Sequence, residues 1–129
     1  MDGKKDGYHD RMESVSRDLR RVSDRLDDNR RSARSVEEAQ GLTQQICHDQ
    51  RVLLEEVSHC WKGSRASQLI GEAYDASEAE FQQAMTALDE RQADLAQEKR
   101  ALLSEEESLR GKSASLTREK SKKEGSSWD

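Results

Sequence analysis

No proline interrupts the chain of 129 residues. Proline breaks helices because it lacks an N–H and crowds the preceding turn, so nothing of that kind limits helix length here. Aromatic residues are scarce, at 4%, and the whole hydrophobic set reaches 32% against 38% charged. Such a chain cannot fill a broad globular core and forms one thin domain at most. The abundant Ala, Leu, Glu, Gln and Arg favour helix. The same composition is also compatible with disorder, so the spacing of the apolar residues has to decide.

Long hydrophobic runs are missing as well. No stretch approaches the roughly 18 apolar residues of a membrane span, which argues against membrane insertion. Residues 1–10 are polar and charged, without the apolar centre of a signal peptide. The expectation is a soluble cytoplasmic chain that would leave the cell, if at all, by a route that reads no Sec-type leader.

There are two cysteines, Cys47 and Cys60, 13 residues apart. On one helix that is about 20 Å along the axis, beyond disulfide reach within a chain. Both fall at or beside an apolar stripe and read as small buried hydrophobes; a cysteine pair across a dimer stays open. His48 and His59 stand beside them, but neighbouring residues on a helix point in different directions and no zinc-type spacing occurs. No metal and no cofactor is expected.

Catalytic patterns are equally sparse. No nucleophile–base constellation stands out, and no glycine-rich phosphate loop is present. Carboxylate neighbours such as Glu55–Glu56 and Glu105–Glu107 read as solvated helix faces. The arginines between Arg11 and Arg34 alternate with acids, which suits pairing along a helix better than a nucleic-acid stripe. The net charge of −5 is mild, but it is unevenly spread. Residues 72–107 carry 11 acids and three bases, while 110–123 carry six bases and one acid. A basic run of that kind complements the C-terminal end of a helix dipole. The expectation is a protein that is not an enzyme and does not bind nucleic acid.

What the chain does have is a heptad-like apolar pattern on both sides of Trp61-Lys62-Gly63. Met12, Val15, Leu19, Val22 and Leu26 step by three and four. The line weakens through Ala33 and Val36, shifts phase near Gln40-Gly41, and resumes as Leu42, Ile46, Leu53, Val57 and Cys60-Trp61. A local bend or fray is expected at Gly41, since glycine inside a helix costs roughly 1 kcal/mol. In the second half Tyr74, Phe81, Leu88, Leu95, Leu102, Leu109 and Leu116 recur every seventh residue without a miss. Their companion positions are mixed: Ala84 and Met85 are apolar, whereas Gln92, Lys99 and Glu106 are not.

Gly63 suits the left-handed conformation that ends a helix, and Ser64 is placed to cap the next one, whose apolar face begins with Ala66, Leu69, Ile70 and Ala73. The fold expected is all-α: an antiparallel two-helix hairpin with a coiled-coil seam. Its parts are a flexible leader 1–10, a helix 11–61, a turn 62–64, a helix 65–120 and a flexible tail 121–129. Folding about Ser64 makes facing residue numbers add to roughly 128, and each arm about 75 Å long. Leu26 then meets Leu102, Leu19 meets Leu109, Met12 meets Leu116 and Ala33 meets Leu95. Both seven-residue series come into phase although neither helix alone requires it. Two facing stripes make a marginal core. Val52, Leu54, Leu69, Ile70, Met85 and Leu103 lie off the main seam, so helices of a partner are expected to cover them.

A Trp-x-Gly turn between two long helices resembles the WXG superfamily of type VII secretion proteins. The motif here is Trp61-Lys62-Gly63, continued by Ser64-Arg65-Ala66. The chain is longer and more charged than is usual in that superfamily, and it is most similar to the small helical proteins encoded beside LXG-domain toxins. That resemblance implies a WXG-like, non-catalytic adaptor or targeting chaperone that packs on the helical N-terminal domain of such a toxin. A second small helical partner could join the complex, and the chain could be exported with its toxin. WXG substrates usually carry a Tyr-x-x-x-Asp/Glu signal beyond the second helix. Here no Tyr follows Tyr74, and Tyr74 with Glu78 lies early in that helix, where Tyr74 reads as core. Gly63 permits the reversal, and Trp61 either anchors the turn over the start of the second helix or meets a partner. The alternatives are a self-associating WXG-like homodimer and an unrelated coiled-coil scaffold.

Overall fold

The computed structural model describes residues 3–126, with side chains over 7–123. It contains two helices: α1 spans Gly3–Cys60 and α2 spans Ser64–Ser126. They pack against each other as an all-α helical hairpin. Of the expected leader and tail, residues 1–2 and 127–129 lie outside the described residues. Residues 3–10 continue α1, and residues 121–126 continue α2. Local contacts support the extra N-terminal turns. Arg11 Nε donates to the Gly7 carbonyl at 3.2 Å, and the Lys120 ammonium stands 5.2 Å from the Tyr8 ring centroid. A cation over an aromatic face at that distance is attractive.

The chain divides into two compact units, one of residues 1–31 with 96–129 and one of residues 32–95. In the first unit Val22, Leu102 and Leu109 form a buried cluster, with Leu19 and Leu26 packed against it. This is the register expected from folding about Ser64, because leucines at seventh positions on both helices meet on one line. Val22 is the most fully buried large side chain, and Val15 is buried a heptad before it. Asn29, a heptad after it, is a buried polar residue in the same row, 4% exposed. A single polar residue in a seam lowers stability but favours one register over its neighbours. Outside the seam, Arg21–Asp18, Arg30–Asp27 and Arg31–Asp28 form exposed ion pairs one turn apart. Three arginines of this stretch therefore pair along their own helix, and such exposed pairs add little stability.

In the second unit, α1 keeps the heptad phase of its first half. Val36, Thr43 and Val57 continue one row and Ala33, Cys47 and Leu54 the other, all of them buried or half-buried. The expected phase shift near Gly41 does not occur. Leu42, Ile46 and Leu53, expected in the seam, stand outside it at 65%, 56% and 59% exposure. The reason is geometric: Leu42, Ile46 and Leu53 each stand one residue before Thr43, Cys47 and Leu54, so turning them inward would break the seven-residue spacing that both rows otherwise keep along α1. Thr43 makes the unshifted phase tolerable, because its hydroxyl donates to the Ala39 carbonyl at 2.7 Å and brings no unpaired polar atom to the seam. Gly41 itself lies within the unbroken helix. Cross-helix polar contacts hold the same register: Gln40 Nε2 donates to Asp89 at 3.0 Å and Ser77 Oγ to Gln50 at 2.6 Å.

The turn falls one residue earlier than expected, at 61–63. The Trp61 amide still donates to the Val57 carbonyl at 2.8 Å, and the Ser67 amide donates to the Gly63 carbonyl at 2.9 Å. Gly63 thus occupies the N-cap position of α2, since its carbonyl accepts the first bond of that helix. Ser64, expected as the cap, is the first residue inside the helix. Gly63 has a φ of +122°, a left-handed value in which L side chains are strained.

Candidate interaction surface

The residues singled out from the sequence fall into three groups. Leu95, Leu102 and Leu109 are buried, and Leu19, Leu26, Ile70, Tyr74, Phe81, Met85 and Leu88 are half-buried. These sit in or beside the seam. Ile46, Leu53 and Leu69 are exposed and lie away from it. Trp61, Gly63 and Ser64 are exposed at the turn. Of the six residues expected off the seam, Leu54, Ile70 and Met85 are half-buried, while Val52, Leu69 and Leu103 are exposed. Cys47 is buried as expected, but Cys60 is exposed. The unshifted heptad accounts for both, because it turns Cys47 inward and leaves Cys60 on the outer line of α1.

Trp61 is 49% exposed. It forms one wall of a shallow groove of about 490 Å³, shared with Ser58, Gly63, Ser67, Ile70 and Tyr74. The indole thus faces an open groove that it shares with the first turns of α2. On the same side of the hairpin, Arg51 Nη2 donates to Glu78 at 2.6 Å and the Tyr74 hydroxyl donates to the Arg51 carbonyl at 3.3 Å. Both residues of the Tyr-x-x-x-Glu spacing are thus engaged with Arg51, and Tyr74 is half-buried in a polar lock on the edge of the seam. The sequence reading missed Arg51 and Glu78. Their numbers lie within a residue of the facing register and their charges are opposite, and that was the available signal.

A second groove, of about 220 Å³, is lined by Thr43, Ile46, Cys47, Ser77, Phe81 and Ala84 among others. Ile46 belongs both to this groove and to the exposed line Leu42, Ile46, Leu53. Among the described residues the large exposed hydrophobics are concentrated in one unit: Leu42, Ile46, Val52, Leu53, Trp61 and Leu69 lie within residues 32–95, and Leu103 in the other. The described residues hold no group of three or more His, Cys, Asp or Glu placed for a metal ion. No described helix is long and apolar enough to cross a membrane.

The family model described as "Protein of unknown function (DUF3958)" matches residues 10–121. The chain belongs to this family. The DUF3958 match takes in both helices and the turn between them, so the seam from Met12 to Leu116 and the exposed apolar line of α1 all lie within it. No curated protein and no solved structure matches the chain.

Proposed function

We propose that this DUF3958 chain is a non-catalytic adaptor that binds the helical N-terminal domain of an LXG-type toxin and serves its export by type VII secretion. The observation that carries the reading is the concentration of exposed apolar side chains in residues 32–95, on a hairpin whose own seam is one stripe wide. Leu42, Ile46 and Leu53 would stay in water in an isolated chain, and burying them stabilises any complex that covers them, by about 25 cal/mol per Å² of apolar surface. A helical partner fits best, because the exposed line repeats at helical spacing and parallel stripes pack by interleaving side chains. The Trp61-Lys62-Gly63 turn supplies the resemblance to the WXG superfamily and, through it, the class of partner.

The test is a titration of the purified full chain with the helical N-terminal domain of an LXG toxin, followed by calorimetry. The adaptor reading expects saturable binding at a defined stoichiometry, with a dissociation constant on the order of micromolar or tighter. No heat and no shift in melting temperature at a large excess of the toxin domain would contradict it.

A further inference from the structure

We infer that the partner is held on one face of the turn-containing unit, the acid-and-apolar ladder Glu38, Leu42, Ile46, Asp49, Leu53, Glu56, and that the segment it takes is an amphipathic helix whose apolar line is flanked by Lys or Arg. This deepens the adaptor reading and rests on it.

Each step of the ladder is three or four residues, so its six side chains lie in one row on α1. All six are exposed. Thr43, Cys47 and Leu54 face α2 instead, so the hairpin's own seam does not use this row. The row borders the groove of about 220 Å³, whose α2 wall carries Phe81 between Ser77 and Ala84 and whose α1 wall carries Ile46. Phe81 and Ile46 give an incoming apolar helix a surface to pack on beside Leu42 and Leu53.

Charge decides the occupant. The carboxylates of Glu38, Asp49 and Glu56, with Glu80 on the far wall of the groove, enter no ion pair among the described residues. Residues 32–95 carry 12 acids and five bases, a net −7. The other unit carries 15 acids and 17 bases, a net +2. A second copy of the chain laid on this face would bring the same acids together. A helix with basic flanks instead pairs them around an apolar centre, and such complementarity raises both specificity and association rate.

The test uses two synthetic helical peptides with the same leucine line, one flanked by Lys and one by Glu. They are titrated against the full chain, against a triple Leu42→Ser, Ile46→Ser, Leu53→Ser variant, and against Leu103→Ser as a control in the other unit. The replaced side chains are exposed, and circular dichroism checks that each variant keeps its fold. The expected result is binding of the Lys peptide that weakens about tenfold or more in the triple variant, is unchanged in the control, and is at least about tenfold weaker for the Glu peptide. Equal binding by the triple variant, or by the two peptides, overturns the inference. So does a wild-type dimer in sedimentation that the triple variant converts to monomer, because a second copy then owns the face. The toxin domain separates the two claims. If it binds the triple variant as well as the wild type, the face is wrong and the adaptor reading stands. If it fails to bind while the Lys peptide binds on the ladder, the adaptor reading falls and the face stands.

Discussion

Arg51 and Glu78, 27 residues apart in sequence, are joined across the two helices by a 2.6 Å charged hydrogen bond. The Arg51 hydrogen bond, with a second from Gln82, holds the Glu78 carboxyl below its ordinary pKa of 4.5, while Glu78 raises the Arg51 guanidinium. A carboxyl whose folded pKa is depressed stabilises the folded state in full above its unfolded value and loses that contribution as pH falls through the folded one. The contact is solvent-exposed, so its effect is small and salt-sensitive. Glu78→Gln is expected to lower the melting temperature slightly at pH 7 in low salt, with the gap to wild type closing as the pH drops well below 4.5. Melting curves across that range check it, and a gap that widens in acid would contradict the pairing.

The turn depends on backbone conformation alone. No atom lies within 4 Å of where a Cβ at Gly63 would stand, yet its φ is +122°. Gly63→Ala and Gly63→Val are therefore expected to destabilise the hairpin by about 1–3 kcal/mol through strain, the β-branched residue more. A D-alanine introduced there by chemical ligation should be tolerated, because the mirror-image residue favours positive φ. Chemical denaturation reads both, and an L-alanine variant as stable as wild type would show that the reversal lies elsewhere.

Leucine deletions separate the seam from the outer line. Leu102 is 5% exposed and packs against Val22 and Leu109, so Leu102→Ala should cost about 3 kcal/mol. Ile46 is 56% exposed, and Ile46→Ala should stay within about 0.5 kcal/mol. Urea unfolding of the isolated chain measures both. Comparable losses would return Ile46 to the seam.

The two thiols should differ in accessibility. Cys60 is exposed and Cys47 buried. A colourimetric thiol reagent is expected to label one cysteine rapidly in the native chain and the second only after denaturation. Rapid labelling of both would mean that the second half of α1 does not hold its heptad phase.

Much of this was readable from residue spacing. The seven-residue leucine series of α2 and the line from Met12 to Leu26 fixed the pairing once Gly63 marked the reversal, and Leu19 and Leu26 do pack on Leu102 and Leu109. The outer line of α1 was not readable in the same way. Leu42, Ile46 and Leu53 recur at helical spacing just as core residues do, and hydrophobicity alone ranks them above Thr43 and Cys47. Only continuity of the heptad, which a helix keeps unless the sequence inserts a stutter, turns the weaker residues inward and the stronger ones out. Cys60 was misplaced for the same reason. The cap is a different case: Ser64 has the side chain of an N-cap, but α2 begins one residue earlier than the serine suggests, and the Gly63 carbonyl accepts its first bond.

The adaptor account stands or falls on whether a second helical protein binds this hairpin at all. The most direct measurement is co-expression of the full chain with the helical N-terminal domain of an LXG toxin, followed by size-exclusion chromatography with light scattering. The account predicts one peak whose mass combines the toxin domain with the 14.7 kDa chain at fixed stoichiometry. Separate elution, with the chain at twice 14.7 kDa, would contradict it and identify a self-contained four-helix bundle.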